Sequence, residues 1–448
     1  MKKSIILCFT LLLQTLVWGQ DTGQSFTLAQ AIDFAVKNAY TVTNANTDIE
    51  IARKKVAEVR GAGIPQLNAE ASFQNFLQVP VSLIQADAFY PSAPKDTYLR
   101  LPFGIKYNLS YGYTASWLLF NGEYLVGLQA SRSYVDHTKN SLRKSEVEVK
   151  ESVTKAYYTI LILKENQRIL TESVQTLDKT LSETEAIYKE GFIEEMDIDR
   201  LRLLKTNLST TLQTLEQQTV LAEKYLKFQM GYEVDKPMTL SDSFDAVLAG
   251  AAVENNQELK FDFNASADYQ ILSSGLKLQE LNRKRLMANY LPTLSTFYTW
   301  KENRVGNQFD KLTDPNFRVS GGNIFGLNLS VPLFQGLSQR ARIQQANLEL
   351  KKFKTTQTQA LQGYSLQSAQ ALTEYKAALN SFKNNSESVD LAKKIKEKAN
   401  TKYREGVGSS LELMQSENDL LSAQSNYINS AAQLLNARVL LDKQLNKF

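Results

Sequence analysis

Two periodicities alternate along this chain. From Tyr107 to Phe120 the side chains change character at every step: Tyr107, Leu109, Tyr111, Tyr113, Ala115, Trp117 and Leu119 point one way, and Asn108, Ser110, Gly112, Thr114 and Ser116 the other. Period two marks a strand with one apolar face. Residues 323–333 repeat the pattern, with Phe325, Leu327, Leu329, Val331 and Leu333 opposed to Gly326, Asn328 and Ser330. Weaker alternation precedes each, at 66–77 (Leu67, Ala69, Ala71, Phe73) and at 293–301 (Leu294, Thr296, Tyr298, Trp300). The intervening residues 81–106 and 302–322 carry Pro, Asp, Lys and Asn and read as exposed loops.

After each strand pair the period lengthens. Val149, Val153, Ala156, Ile160, Leu163, Gln167, Leu170, Val174, Leu177, Leu181, Thr184 and Tyr188 follow steps of four and three. Such a seam specifies supercoiled helix packing. A second seam runs Leu201, Leu204, Leu208, Thr211, Leu215, Gln218, Ala222, Tyr225. The later tract repeats the plan, from Leu350 through Tyr364 and Ala378, then from Leu413 through Leu420, Tyr427 and Leu434 to Leu441. Each tract therefore predicts two long antiparallel helices. The nine prolines agree, for none lies between 103 and 236 or after 332. From Gly122 to Tyr188, continuous helix would reach about 100 Å at 1.5 Å per residue. A coiled-coil rod alone would show these seams too, so the strands decide the class.

The two halves align in pieces. Ile64-Pro65-Gln66-Leu67 matches Leu291-Pro292-Thr293-Leu294, and Leu119-Phe120-Asn121-Gly122 matches Leu333-Phe334-Gln335-Gly336. Tyr188 to Gln229 then runs without gaps onto Tyr403 to Gln444. The layout is a first repeat over 20–230 with its helical hairpin at 122–230, a linker at 231–265, and a second repeat over 266–448 with its hairpin at 336–446. Residues 1–19 read as a cleaved leader: Lys2 and Lys3, an apolar run from Ile5 to Val17, then Val17-Trp18-Gly19. The only cysteine, Cys8, falls in that leader, so disulfides and thiol chemistry are excluded from the remainder. The chain holds 51 basic and 47 acidic residues, a formal +4 that drops to +2 without Lys2 and Lys3, which gives no sign of a nucleic-acid partner. No later apolar run approaches a spanning helix.

Strands that are apolar and aromatic on one side, small and polar on the other, carry the outer-membrane barrel pattern. Phe73, Tyr107, Tyr111, Tyr113, Trp117, Tyr298, Trp300 and Phe325 are the expected membrane-facing aromatic anchors. Four strands cannot close a barrel, and lipid tolerates no open sheet edge. Two copies give eight strands, whose interior side chains fill; three give twelve and room for a lumen. A homotrimer is the economical solution.

Several short motifs also resemble a known family. They are Phe26-Thr27-Leu28-Ala29-Gln30-Ala31-Ile32 with Ala35-Val36-Lys37-Asn38, the two Pro-x-Leu strand starts, the two Leu-Phe-x-Gly junctions, and Tyr188-Lys189-Glu190-Gly191 with Tyr403-Arg404-Glu405-Gly406. Their order and duplication resemble the TolC-type outer-membrane efflux proteins over essentially the whole chain past the leader. The resemblance implies an α+β membrane protein: a homotrimeric 12-stranded β-barrel in the outer membrane, four strands per chain, continued by a long periplasmic α-helical coiled-coil barrel. Residues 21–45 and 232–265 would belong to a mixed equatorial region. It implies a Gram-negative-type outer membrane, and the exit duct of a tripartite efflux or type I secretion system. The duct would take small molecules or polypeptides from an inner-membrane transporter through a periplasmic adaptor.

In that family the second Tyr-x-x-Gly mark lies at the periplasmic tip of its hairpin, with acidic residues just beyond it narrowing the closed pore. Glu412 matches the first acidic position, and Gln415 stands at the second, so a doubled acidic ring does not carry over. Asp197 matches an acid that helps hold the tips together, with Tyr188 and Tyr403 alongside. Gly191 and Gly406 suit a helix break, and Val407, Gly408 and Ser409 keep the second tip small enough for an adaptor hairpin to dock.

No enzyme is legible. His137, the single histidine, falls on a polar helix stretch and reads as solvated; no HExxH, Walker or G-x-G-x-x-G pattern occurs. No metal or other cofactor is called for. Two other classes fit part of the pattern: a stand-alone outer-membrane porin, which has no use for such long helices, and a soluble periplasmic coiled-coil scaffold, which has none for the strands.

Overall fold

The computed structural model describes residues 24–191, 193–253, 261–314, 316 and 318–448, and the side chains at 318–320 lie outside the description. The expected leader at 1–19 and Phe192 of the first tip also lie outside the described residues. In chain order the elements are β1 (Gln24–Phe26), α1 (Leu28–Asn38), α2 (Tyr40–Gly61), β2 (Gln66–Asn75), β3 (Val81–Gln85), β4 (Tyr98–Pro102), β5 (Tyr107–Asn121), α3 (Gly122–Lys189), α4 (Glu195–Met230), β6 (Met238–Leu240), α5 (Phe244–Ala251), α6 (Ala267–Ala288), β7 (Thr293–Gly306), β8 (Arg318–Ser330), α7 (Ser338–Arg404) and α8 (Ser410–Gln444). The chain divides into two compact units. One comprises Thr47–Asn140 and Ile271–Thr358; the other takes Met1–Asn46, Ser141–Gln270 and Gln359–Phe448.

In the first of these, β2, β5, β7 and β8 form one antiparallel sheet in that spatial order. Opposed residues share a face, so the register tests the alternation directly. Ala69, Tyr113 and Trp300 fall in one row, Ala115, Tyr298 and Phe325 in the next, Trp117, Thr296 and Leu327 in a third. The aromatic side chains thus gather on one face of the sheet. Among the described residues, β2 and β8 are edges with no further strand beside them.

The structure corrects the strand reading in four places. A bulge at Leu119 brings Phe120 opposite Leu294, so the alternation breaks before the strand does. β8 stops at Ser330, because Pro332 has no N–H to give a ladder, and Val331 and Leu333 lie beyond it. Phe297 stands on the small polar face, over Gly326; a Cβ added there would come within 2.6 Å of its ring. Finally, 302–306 and 318–322 are strand rather than loop. That extension sets Glu302 and Arg304 on the aromatic face, where they neutralise each other. Arg304 Nε donates to Glu302 Oε1 at 2.8 Å, the Tyr111 hydroxyl donates to the same oxygen at 2.9 Å, and Arg304 reaches the Thr313 carbonyl at 3.2 Å. Within 81–106, β3 and β4 pair as a separate two-stranded ribbon.

β5 passes into α3 without a linker. Asn121 is paired to Thr293 as the last residue of the strand, and its side-chain oxygen accepts from the Tyr124 N–H at 2.7 Å, capping the helix. Gly122 follows because a Cβ there would meet the Ala288 carbonyl at 3.0 Å. The matching Gly336 has a different reason: its φ is +57°, a left-handed conformation in open space.

In the other unit the core gathers α1, the β1–β6 pair and α5 around α3, α7 and α8. Tyr157, Ile160, Leu226, Leu434 and Leu435 are fully buried there, and each such aliphatic side chain contributes about 2–3 kcal/mol. The Tyr157 hydroxyl donates to the Phe26 carbonyl at 3.0 Å and to Asp242 Oδ2 at 2.9 Å. Burial first, and the Asp242 carboxylate second, push that phenol far above its ordinary range. The Asp242 carboxylate also accepts from the Leu28 N–H at 2.7 Å, fastening the start of α1.

The predicted seam on α3 is buried at Val149, Val153, Ala156, Ile160, Leu177 and Thr184. On α4 the seam departs from the sequence reading. Past Leu208 the inward positions are Leu212, Leu215, Thr219, Ala222 and Leu226, while Tyr225 is 52% exposed. Steps of four then outnumber steps of three, nearer the 3.6-residue turn of a straight helix than the 3.5 of a supercoil.

Candidate functional site: the two hairpin tips

Each helical hairpin turns on the same backbone device. Tyr188 closes α3, and its carbonyl accepts from the Gly191 N–H at 2.8 Å; Tyr403 does the same for Gly406 at 3.1 Å. Both glycines have positive φ, +82° and +74°, with nothing near an added Cβ. The repeated glycine is therefore a conformational requirement, a left-handed residue ending a helix. Gly408 differs, since its Cβ would stand 2.9 Å from the Lys402 Cβ and 3.0 Å from the Tyr403 nitrogen. It is seated on the end of α7, so this tip is tied rather than loose. Val407, at 79% exposure, is the most prominent side chain of the turn.

The helices that leave the tips start differently. Ser409 caps α8, accepting from the Glu412 N–H at 3.1 Å. Glu194 occupies the cap position of α4 with no side-chain bond to the helix. Asp197, in the first turn of α4, accepts from the Ser410 hydroxyl at 2.5 Å and so joins the first tip to the second. A second link lies beside it: Arg404 clasps Glu183 with Nη2 to Oε1 at 2.6 Å and Nε to Oε2 at 3.1 Å. That hydrogen bond to Glu183, with its charge, holds the guanidinium pKa above its usual value. Sequence reasoning missed Glu183, Arg404 and Ser410 as a group, although Arg404 lies inside the duplicated motif and Ser410 just beyond it.

The remaining expected residues fall into place unevenly. Glu412 forms an ion pair with Lys402 at 2.8 Å across its own hairpin. Gln415 donates to Asp419 at 2.8 Å along α8. Tyr188 is 39% exposed. Tyr403 is buried, and its hydroxyl has no hydrogen-bond partner among the described residues. His137 is also not solvated as anticipated: it is half-buried and bonds Ser274 at 2.8 Å.

Of the aromatic residues on the sheet, Phe73, Tyr113, Trp117 and Phe325 are exposed, and Tyr107, Tyr111, Tyr298 and Trp300 are half-buried. Trp117 Nε1 donates to the Gly63 carbonyl at 2.9 Å. Tyr113 stacks on Trp300 at 5.5 Å, and Phe73 on Tyr107 at 6.1 Å. Among the described residues no helix is long and apolar enough to cross a membrane.

A four-stranded sheet with an aromatic face, joined directly to paired helices of 68 and 36 residues, is the protomer architecture of an outer-membrane channel. The comparisons agree. The chain matches the outer membrane efflux protein family over residues 31–231 and 282–447, and it belongs to that family. Similar folds include the channel CusC (TM-score 0.72, 16% identity, 93% of this chain and 91% of that one). CmeC of Campylobacter jejuni is similar (TM-score 0.71, 17% identity, 96% and 90%). So is the open state of MtrE of Neisseria gonorrhoeae (TM-score 0.68, 17% identity, 93% and 88%). None of the curated proteins matches in sequence. The chain is thus an outer-membrane efflux channel extending into the periplasm, with no enzymatic activity.

Proposed function

We propose that three copies of this chain form the exit duct of a tripartite efflux or type I secretion system, carrying small molecules or polypeptides from an inner-membrane transporter. The observation that carries this reading is the sheet with two open edges running straight into α3. A barrel in lipid needs those edges closed by other copies, and a helix of 68 residues is about 100 Å long at 1.5 Å per residue. A stand-alone porin leaves that length without a use.

The tips are the gate of the proposed duct. Asp197 on Ser410 and Arg404 on Glu183 tie the first hairpin to the second, and three Glu412 side chains would ring the neck. Lys402 offsets much of each Glu412 charge, so the neck is narrow before it is acidic. Gly191, Gly406, Val407, Gly408 and Ser409 form the surface offered to the periplasmic adaptor. Conductance in planar bilayers tests the gate: it should be low for the unaltered channel and rise when Asp197 and Glu412 are both replaced by Ala. Unchanged conductance would sink the gate assignment. Crosslinking from Ser409 in cells should capture an adaptor; capture of none would leave the porin reading ahead.

A further inference from the structure

We propose that Glu70 and Lys301 form a charged girdle on the polar face of the four-stranded sheet, and that its balanced charges keep the lumen permeable to ions of either sign; the role rests on the barrel reading above. The two residues share one register row. Glu70 lies opposite Gly112, Gly112 opposite Lys301, and Lys301 opposite Gly322. With strands about 4.8 Å apart, a carboxylate and an ammonium are rooted about 10 Å from each other. A glycine lies between them and another beyond. They are the only charged side chains on this face among the described residues of the sheet.

The contrast with the opposite face carries the argument. There Glu302 and Arg304 are bonded to each other, Tyr111 adds a third partner, and Glu302 is only 6% exposed. A face turned to lipid demands that treatment, because an unpaired charge in hydrocarbon is costly. Glu70 and Lys301 receive none of it. Both are exposed, and neither has an ion-pair partner among the described residues, an arrangement that suits water. Gly112 also opens the space they share. A Cβ there would come within 2.3 Å of the Trp300 carbonyl, so the position stays bare. The result is a concavity of about 640 Å³ lined by Glu70, Ser72, Ser110, Thr114, Thr299 and Lys301.

In three copies the row becomes a belt of alternating sign, three carboxylates and three ammoniums spaced by glycines. Its net charge is zero, so it excludes neither sign. Loss of one partner leaves the other to concentrate its counter-ion in the lumen.

Charged thiol reagents test this on the full-length protein in outer-membrane vesicles. Because Cys8 belongs to the expected leader, an introduced cysteine is the sole thiol. Glu70→Cys leaves Lys301 and should react faster with an anionic methanethiosulfonate. Lys301→Cys leaves Glu70 and should prefer the cationic one, each by roughly tenfold. Ala71→Cys, on the aromatic face, should stay unreactive. The same preference at both positions, or none at either, overturns the girdle. A reactive Ala71→Cys beside a silent Glu70→Cys overturns the face assignment, and with it the barrel reading. In planar bilayers Glu70→Gln and Lys301→Gln should shift the reversal potential in opposite directions. No shift from either also overturns the proposal.

Discussion

At the first tip the acids stand on the arriving helix and the bases on the departing one: Glu185 pairs with Arg202 at 2.8 Å and Asp178 with Lys205 at 2.5 Å. At the second tip the order is reversed. Lys402 and Lys396 on α7 pair with Glu412 and Glu417 on α8, at 2.8 and 2.9 Å. Near their tips the duplicated halves keep one turn backbone and carry opposite polarity, although farther along the first hairpin Lys164 on α3 pairs with Glu223 on α4 at 2.8 Å. The difference makes each arm complementary to its own partner, and it places an acid of α3, Glu183, against a base of α7, Arg404. Two arms of like polarity would meet with like charges instead. Near the tips charge thus adds to the apolar seams in matching each arm to its neighbour.

The sharpest way to break this comparison is to invert one sign in each hairpin. Lys396 and Glu417 are nearly buried, at 16% and 8% side-chain exposure, whereas Lys205 and Asp178 stand at 38% and 48%. Lys396→Glu should therefore cost about 3–5 kcal/mol, as two carboxylates are held out of water. Lys205→Glu should cost about 1 kcal/mol or less. Thermal unfolding in detergent reads both, and equal losses would remove the asymmetry. Next comes the shared backbone. Gly191→Ala and Gly406→Ala should each cost about 1–2 kcal/mol, and equally, since both sit at positive φ in open space. An unequal pair would mean that the turns are not equivalent.

The caps give a smaller contrast. Ser409→Ala should lose about 1 kcal/mol, while Glu194→Ala, with no cap bond to lose, should change stability by a few tenths. Limited proteolysis at the tips would rank the two. The smallest effect links the hairpins above the tips. Burial opposes ionisation of Glu151, but bonds from Lys155 on its own helix and Lys443 on α8 outweigh it and hold the carboxyl below its ordinary range. A depressed native pKa stabilises fully above the unfolded value of about 4.3 and is lost as pH falls through the lower native one. Glu151→Gln should accordingly lower stability near neutrality and flatten the acid limb of the pH–stability curve, the two proteins converging at low pH.

Much of the fold was legible because period two and the heptad seam are properties of single elements. Tyr107 to Trp117 had to form a strand with one aromatic face, and Val149 to Ile160 one buried helix stripe, whatever surrounded them. The duplicated Tyr-x-x-Gly mark was legible for the same local reason, a left-handed residue that ends a helix. What escaped was pairwise. Glu302 and Arg304 looked like loop residues, because a charged run argues for water until a partner is known. Tyr225 looked like a seam position until α4 proved straight enough for Leu226 to take its place. The Leu-Phe-x-Gly copies read alike, yet Gly122 answers to the Ala288 carbonyl beside it and Gly336 to its own φ.

The sequence by itself determined the kinds of elements, their order, their duplication and the places where they turn, since each depends on residues near one another in the chain. Only the tertiary structure decided which polar groups meet, Arg404 on Glu183, Ser410 on Asp197 and Lys402 on Glu412, and which charges share a row, Glu70 and Lys301 on either side of Gly112. Those meetings depend on strand register and on which helix lies beside which. Both are fixed by packing and backbone pairing between segments far apart in sequence, and no local period encodes them.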